Sequence, residues 1–491
     1  MKISISYPPL ESNRGTPLLS QNRQFQWFHK ATFIYPMVPA YAATLLKQNG
    51  YDVFWDDGIA EKLSYQMWSE RLKKENPQLI AMETKTPVVK KHWEIISDIK
   101  TNLPDSIVVL MGDHITALPE ESLENSNADY CLSSGDYDFS LLSLCNFLSK
   151  GDPLCGGWYF KDQNGNIKNT GQQNLSANDL NLLPHIDRQL TKWQLYAYEN
   201  GNFKYTPGTY TMAGRDCWWG KCTFCSWTTL FPAGKFRTIK PARLLDDIEK
   251  NLIPLGIKEI FDDTGCFPAG QWLIKFCEGF IERSLYKKIS FSCNMRFGVL
   301  KQKHYDLMAK ANFRLVLFGI ESANQETIDK IDKKINIQNI PSELQLKNIA
   351  NKTYKGCISP HVTTMIGYPW ENYADAKATI DFTKALFNKG LIDTLQATIV
   401  IPYPGTPLFK EAKEKGWLAT EDWNDFDMRQ LVFKGKITTK EAMELTQGIY
   451  KSFIVPGFII RKLLSIRSLN DLKYLIVSGV RVISHLLDFK K

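Results

Sequence analysis

The chain has 491 residues and a net charge of +8, from 60 basic and 52 acidic side chains. Its hydrophobic content of 44% and charged content of 23% fit a globular chain with two or three cores and exclude a disordered or fibrous one. The charge excess is small for this length and gathers into no basic arm, so nucleic acid is not an expected partner.

Residues 2–6, 51–55, 79–82, 107–111 and 129–132 read as short strands, with helical patterns such as 39–49 and 88–100 between them. This alternation predicts an α/β unit over residues 1–150, a doubly wound parallel sheet with helices on both faces. Ligands of such sheets bind at the carboxyl ends of strands. Tyr7-Pro8-Pro9, Glu83-Thr84-Lys85-Thr86, Gly112-Asp113-His114 and Ser133-Ser134-Gly135-Asp136 fall there. No G-x-G-x-x-G follows the first strand, so a dinucleotide is not the natural ligand.

Residues 151–206 are rich in turn formers and read as a linker holding a hairpin, with Asn164-Gly165 at its tip. From residue 207 to 412 the alternation resumes at a longer period. Strands are expected at 209–213, 257–262, 289–293, 314–320, 358–366 and 394–401, with helices between them. Six such repeats predict a partial (β/α)6 barrel. Residues 413–491 read as a small helical region. Its stripe of Leu463, Leu464, Leu469, Leu472, Leu475, Ile476, Val480 and Ile483 is a packing face before it is a membrane anchor, and membrane association is the weaker expectation.

Ten cysteines are present, and three of them, Cys217, Cys222 and Cys225, share one loop after the first barrel strand. Residues 1–6 carry no apolar leader and no apolar run is long enough to span a bilayer, so a cytoplasmic chain with reduced thiols is expected. Three thiolates on one loop suit three corners of a [4Fe–4S] cluster, leaving the fourth iron for a ligand. Four residues separate the first two cysteines and two the last pair. That is also a plant-type ferredoxin spacing, but such a centre needs a fourth cysteine, and the next, Cys266, lies at the end of another strand. Cys266, Cys293 and Cys357 read as buried apolar residues.

The motif order resembles that of the cobalamin-dependent radical SAM enzymes. Gly112-Asp113-His114-Ile115-Thr116 looks like their Gly-Gly-Pro-His-x-Thr segment. Then come the cysteine loop, Asp262-Asp263-Thr264, Gly319-Ile320-Glu321-Ser322, Gly367-Tyr368-Pro369-Trp370-Glu371 and Pro402-Tyr403-Pro404-Gly405. The family's first cysteine spacing is three residues where this chain has four, and the Asp-x-His-x-x-Gly motif that supplies a cobalt-ligating histidine is absent.

The resemblance implies a Rossmann-like cobalamin-binding unit, a TIM-like radical SAM barrel and three cofactors: a [4Fe–4S] cluster, S-adenosylmethionine and cobalamin. It implies Cys217, Cys222 and Cys225 as cluster ligands and Asp262, Asp263, Glu321, Ser322, Gly367 and Pro369 around S-adenosylmethionine. Gly112, Asp113, His114 and Gly135 fall near the corrinoid, with no residue assigned to cobalt. The implied activity is reductive cleavage of S-adenosylmethionine to a 5′-deoxyadenosyl radical and methylation of an unactivated carbon through methylcobalamin. A ring-forming or rearranging enzyme that uses cobalamin without methyl transfer is one alternative, and a non-catalytic corrinoid- or cluster-binding protein another. The expected partners are a small-molecule or natural-product substrate and an electron donor such as flavodoxin or ferredoxin.

Overall fold

A computed structural model describes residues 1–19, 24–232 and 234–450, with scattered positions between 460 and 480. Lys2–Tyr7, Asp52–Asp57, Leu79–Glu83, Ile107–Met111 and Tyr130–Leu132 form a parallel sheet in the order second, first, third, fourth, fifth. The central strands Leu79–Glu83 and Ile107–Met111 are short, mostly apolar runs buried on both faces, as a helix-covered parallel sheet requires. The order reverses between the first and third strands, where such sheets open a crevice. The hairpin expected inside a linker, Trp158–Lys161 with Ile167–Asn169, instead pairs antiparallel onto Tyr130–Leu132 and closes that edge of the sheet. Covering an exposed strand edge is reason enough for it to dock there.

The second sheet has six parallel strands in chain order: Gly208–Thr211, Glu259–Asp262, Ser290–Met295, Phe313–Glu321, Ser359–Ile366 and Thr394–Ile399. It is an open arc, the partial barrel that the repeats predict. The long helix Ile340–Tyr354 is an addition that the sequence reading did not place. Its apolar positions are sparse, and Pro341 and Asn351 dilute its pattern.

Residues 417–433 differ from the helical expectation. Leu418 bridges Phe433, and Trp423 stands edge-on to His114 of the first unit with its indole nitrogen donating to Glu121. Spaced aromatics here pack onto two separate surfaces, which one straight helix does not reach. The helix Thr439–Tyr450 follows. In the apolar stripe beyond, Leu463, Leu464, Leu469 and Ile483 lie outside the described residues, while Leu472, Ile476 and Val480 are exposed. Among the described residues no helix is long and apolar enough to cross a membrane.

Candidate active site

The carboxyl ends of both sheets face each other. The turn of helix Asp113–Ala117 packs on Trp227–Leu230, just beyond the cysteine loop. Between these edges lie most of the residues that the motifs single out.

Cys217, Cys222 and Cys225 are free thiols, each partly accessible on one loop. Cys217 also bridges backbone to Cys266, whose thiol donates to it. That donation, with the amides of Gly220 and Trp219 and the charge of Lys333, brings the Cys217 thiol down to about 6. Burial pushes Cys222 up to about 12 and raises Cys225 as well. Among the described residues no three His, Cys, Asp or Glu side chains converge tightly enough to hold a single metal ion.

The surroundings fit an anionic cluster bound by thiolates. The Arg296 guanidinium stacks 4.0 Å from the Trp219 ring. Buried Lys333 pairs with Glu321 at 2.6 Å; burial works against its charge, but the carboxylate holds its pKa above the usual lysine value. Asp216 is buried beside Cys217, no side-chain donor meets either of its carboxyl oxygens, and burial raises its pKa well above the usual carboxylate range. Orphaned acceptors of this kind call for a donor from a ligand.

The expected S-adenosylmethionine residues divide into two kinds. The Asp262 carboxylate is fully enclosed and accepts from the Thr211 hydroxyl at 2.8 Å and the Ala213 and Thr264 amides at 2.9 and 3.1 Å. It ties the strand end to the start of the cysteine loop and acts through backbone position. Asp263 is buried next to it. Glu321 sits at a register shift with φ +68° and faces Lys333. Ser322 is enclosed and donates to Glu371 at 2.8 Å. Gly367 lies under Leu431 of the irregular segment, and Pro369 lies beside Gly435, so residues 431–435 wall this part of the arc.

The expected corrinoid residues point largely inward. A Cβ on Gly112 would fall 2.1 Å from the Thr84 carbonyl oxygen, so this glycine serves a loop-to-loop approach. Asp113 pairs with buried Lys85 at 3.1 Å. Both ring nitrogens of fully enclosed His114 are engaged, with Thr86 at 3.2 Å and Glu121 at 3.1 Å. Gly135 accommodates the Phe231 ring, 2.5 Å from where its Cβ would stand.

What the sequence reading missed is the buried cluster at the strand switch. The Tyr7 hydroxyl donates to Glu83 at 2.6 Å, Lys85 stands near, and the other Glu83 oxygen has no hydrogen-bond partner. Burial pushes Glu83 up to about 7, against the pull of Lys85 and Tyr7. The folded chain therefore keeps this proton up to about pH 7, while the unfolded chain releases it near the ordinary 4.5. Between these values the folded state binds more protons, so its stability falls as pH rises from about 4.5 to 7. Glu83→Gln removes the penalty, at most about 3 kcal/mol. Its melting temperature should rise on the order of 5 °C at pH 8 and be unchanged at pH 4.5; equal shifts at both would contradict the assignment.

Residues 213–383 match the family model of the Radical SAM superfamily. An uncharacterized methyltransferase of Pyrococcus horikoshii is 27% identical over 429 residues, covering 85% of this chain and 87% of that one. The anaerobic magnesium-protoporphyrin IX monomethyl ester cyclase of Cereibacter sphaeroides is 22% identical over 431 residues, covering 85% of this chain and 66% of that enzyme. Among solved structures, the cobalamin-dependent S-adenosylmethionine radical enzyme OxsB superposes with a TM-score of 0.69 at 16% identity, covering 99% of this chain and 71% of its own. The matched domain carries the three-cysteine loop, and the superposition gives the chain the fold of that solved enzyme. Residues 213–383 thus carry a Radical SAM domain, and the chain has the fold of a cobalamin-dependent S-adenosylmethionine radical enzyme.

Proposed function

We propose that the chain methylates an unactivated carbon of a small-molecule substrate, using a [4Fe–4S] cluster, S-adenosylmethionine and cobalamin. One observation carries this: the cysteine loop lies at the junction where the carboxyl edges of both sheets meet, so a cluster on one edge and a corrinoid on the other would share one chamber. When bound, these groups supply a 5′-deoxyadenosyl radical and a methyl carrier; the chain supplies position and enclosure.

Cys217, Cys222 and Cys225 would hold the cluster, with Lys333 and Arg296 balancing its charge. The unpaired Asp216 oxygens suit an ammonium donor such as the methionyl amino group of S-adenosylmethionine. Glu321 and the backbone after Asp262 and Ser322 line the same arc, with Asp263, Gly367 and Pro369 on its wall. The unit over residues 1–150 would take the corrinoid at the carboxyl ends of its strands, near Gly112, Asp113, His114 and Gly135. Both ring nitrogens of His114 are engaged, so His114 would pack near the corrinoid without a free nitrogen to offer cobalt. The barrel over 207–412 would carry the radical chemistry, and an external flavodoxin- or ferredoxin-like protein the electron.

Reconstitution under anaerobic conditions with iron, sulfide and hydroxocobalamin tests the cofactor set. Corrinoid retained through gel filtration, and a reduced-cluster EPR signal that shifts on adding S-adenosylmethionine, are expected. A chain that keeps the cluster and releases all corrinoid refutes the cobalamin part. The similarity to a cyclase favours a second reading, ring formation without methyl transfer. The product mass separates the two, since only methylation adds one carbon.

A further inference from the structure

The cysteine loop starts from a two-residue ladder. Gly214–Arg215 pairs antiparallel with Arg237–Thr238, and the register sets Arg215 directly opposite Arg237. Like charges facing across a ladder repel. The carboxylates that meet these two cations come from the other unit. Arg215, 1% exposed, grips Asp138 with both terminal nitrogens, at 3.0 and 2.6 Å, and reaches Asp136 at 3.1 Å. Arg237 takes both Asp136 oxygens, at 2.7 and 2.8 Å, and Asn178 adds a donor at 2.7 Å. Two cations thus meet two anions, and the stem of the cysteine loop is electrically complete only with the first sheet docked.

Asp136 and Asp138 stand in the loop and first helical turn that follow the carboxyl end of Tyr130–Leu132. One residue earlier, Gly135 takes the Phe231 ring, which belongs to the same stretch as the cysteines. Charge and shape therefore fix the same two segments against each other. Arg215 is two positions from Cys217.

We infer that Arg215 is a positioning residue: its fork onto Asp138 and Asp136 sets the cluster loop in register with the corrinoid-facing end of the first sheet. The inference rests on the corrinoid reading above. A guanidinium fork fixes direction as well as charge, whereas a lysine ammonium restores the charge alone.

The test uses full-length protein carrying Arg215→Lys, reconstituted with cluster and corrinoid. The first readout is the magnetic coupling between the reduced cluster and cob(II)alamin by EPR, which needs no turnover. The second is the ratio of 5′-deoxyadenosine to S-adenosylhomocysteine. The variant should bind both cofactors, show an altered coupling, and raise that ratio about 10- to 100-fold, because small misplacements penalise transfer between groups steeply. A purely structural role would lower both products alike, leaving ratio and coupling as in the parent protein, and that result overturns the inference. If Arg215→Lys does not fold, Asp138→Asn serves instead. It keeps the shape and leaves Asp136 to both arginines, and the same shifts are expected. A parent protein that binds no corrinoid removes the corrinoid reading and the inference together, whereas unchanged coupling in a loaded variant removes the inference alone.

Discussion

Cys222→Ala should lose the cluster and lower reductive cleavage of S-adenosylmethionine by more than ~100-fold, the upper end of what disturbing residues around a metal centre costs. Three thiolates would hold three irons, and the loop has no fourth cysteine to replace one. Cys217→Ala and Cys225→Ala should behave alike. Cys266→Ser is the informative contrast. Its thiol touches Cys217, but it sits beyond the end of another strand and is 3% exposed. It should keep iron and sulfide at the parent level. Iron loss in Cys266→Ser equal to that in Cys222→Ala would mean that the centre has four cysteine ligands and no open iron.

The second large effect is on stability, at the opposite end of the arc. Glu259 and Arg314 are both buried and joined through Oε1 and Nε at 2.5 Å. Ser292 donates to Glu259 at 3.1 Å, and the amides of Lys204 and Tyr205 at 2.8 and 3.0 Å. Four donors converge on one carboxylate. Arg314→Ala removes the counter-charge and leaves the carboxylate enclosed, at a cost of about 3–5 kcal/mol. The double variant Arg314→Met with Glu259→Gln should recover most of this, since neither residue then carries a buried charge. Thermal unfolding of the three proteins checks it. A double variant as unstable as Arg314→Ala would place the loss in packing rather than in the stranded charge.

Both sheets were legible because their strands are short apolar runs separated by helical periods, a pattern that survives without tertiary information. The cysteine loop was legible because three thiols at close spacing have few other uses. The motif residues were found by position, but their chemistry was not. His114 and Asp262 look like ligand-facing groups in sequence, yet their polar atoms are spent on Thr86, Glu121, Thr211 and backbone amides. Those partners are decided by loop conformation. Arg215 lay in plain view two positions before Cys217, but its partners Asp136 and Asp138 are on the other sheet, and no periodicity joins them. Glu83 and Lys85 were seen at a strand end without the Tyr7 and Asp113 contacts that make them a cluster. Residues 413–491 were read as one helical region on the stripe from Leu463 to Ile483; that pattern says nothing of residues 417–433, whose aromatic packing against two units is a property of the assembled fold.

The central claim is that one chamber serves both radical generation and methyl transfer. It is tested most directly by incubating anaerobically reconstituted protein with S-adenosylmethionine and a strong reductant, and following 5′-deoxyadenosine and S-adenosylhomocysteine together. The account predicts both products, each lost in Cys222→Ala. Neither product from protein with an intact cluster and bound corrinoid would contradict it.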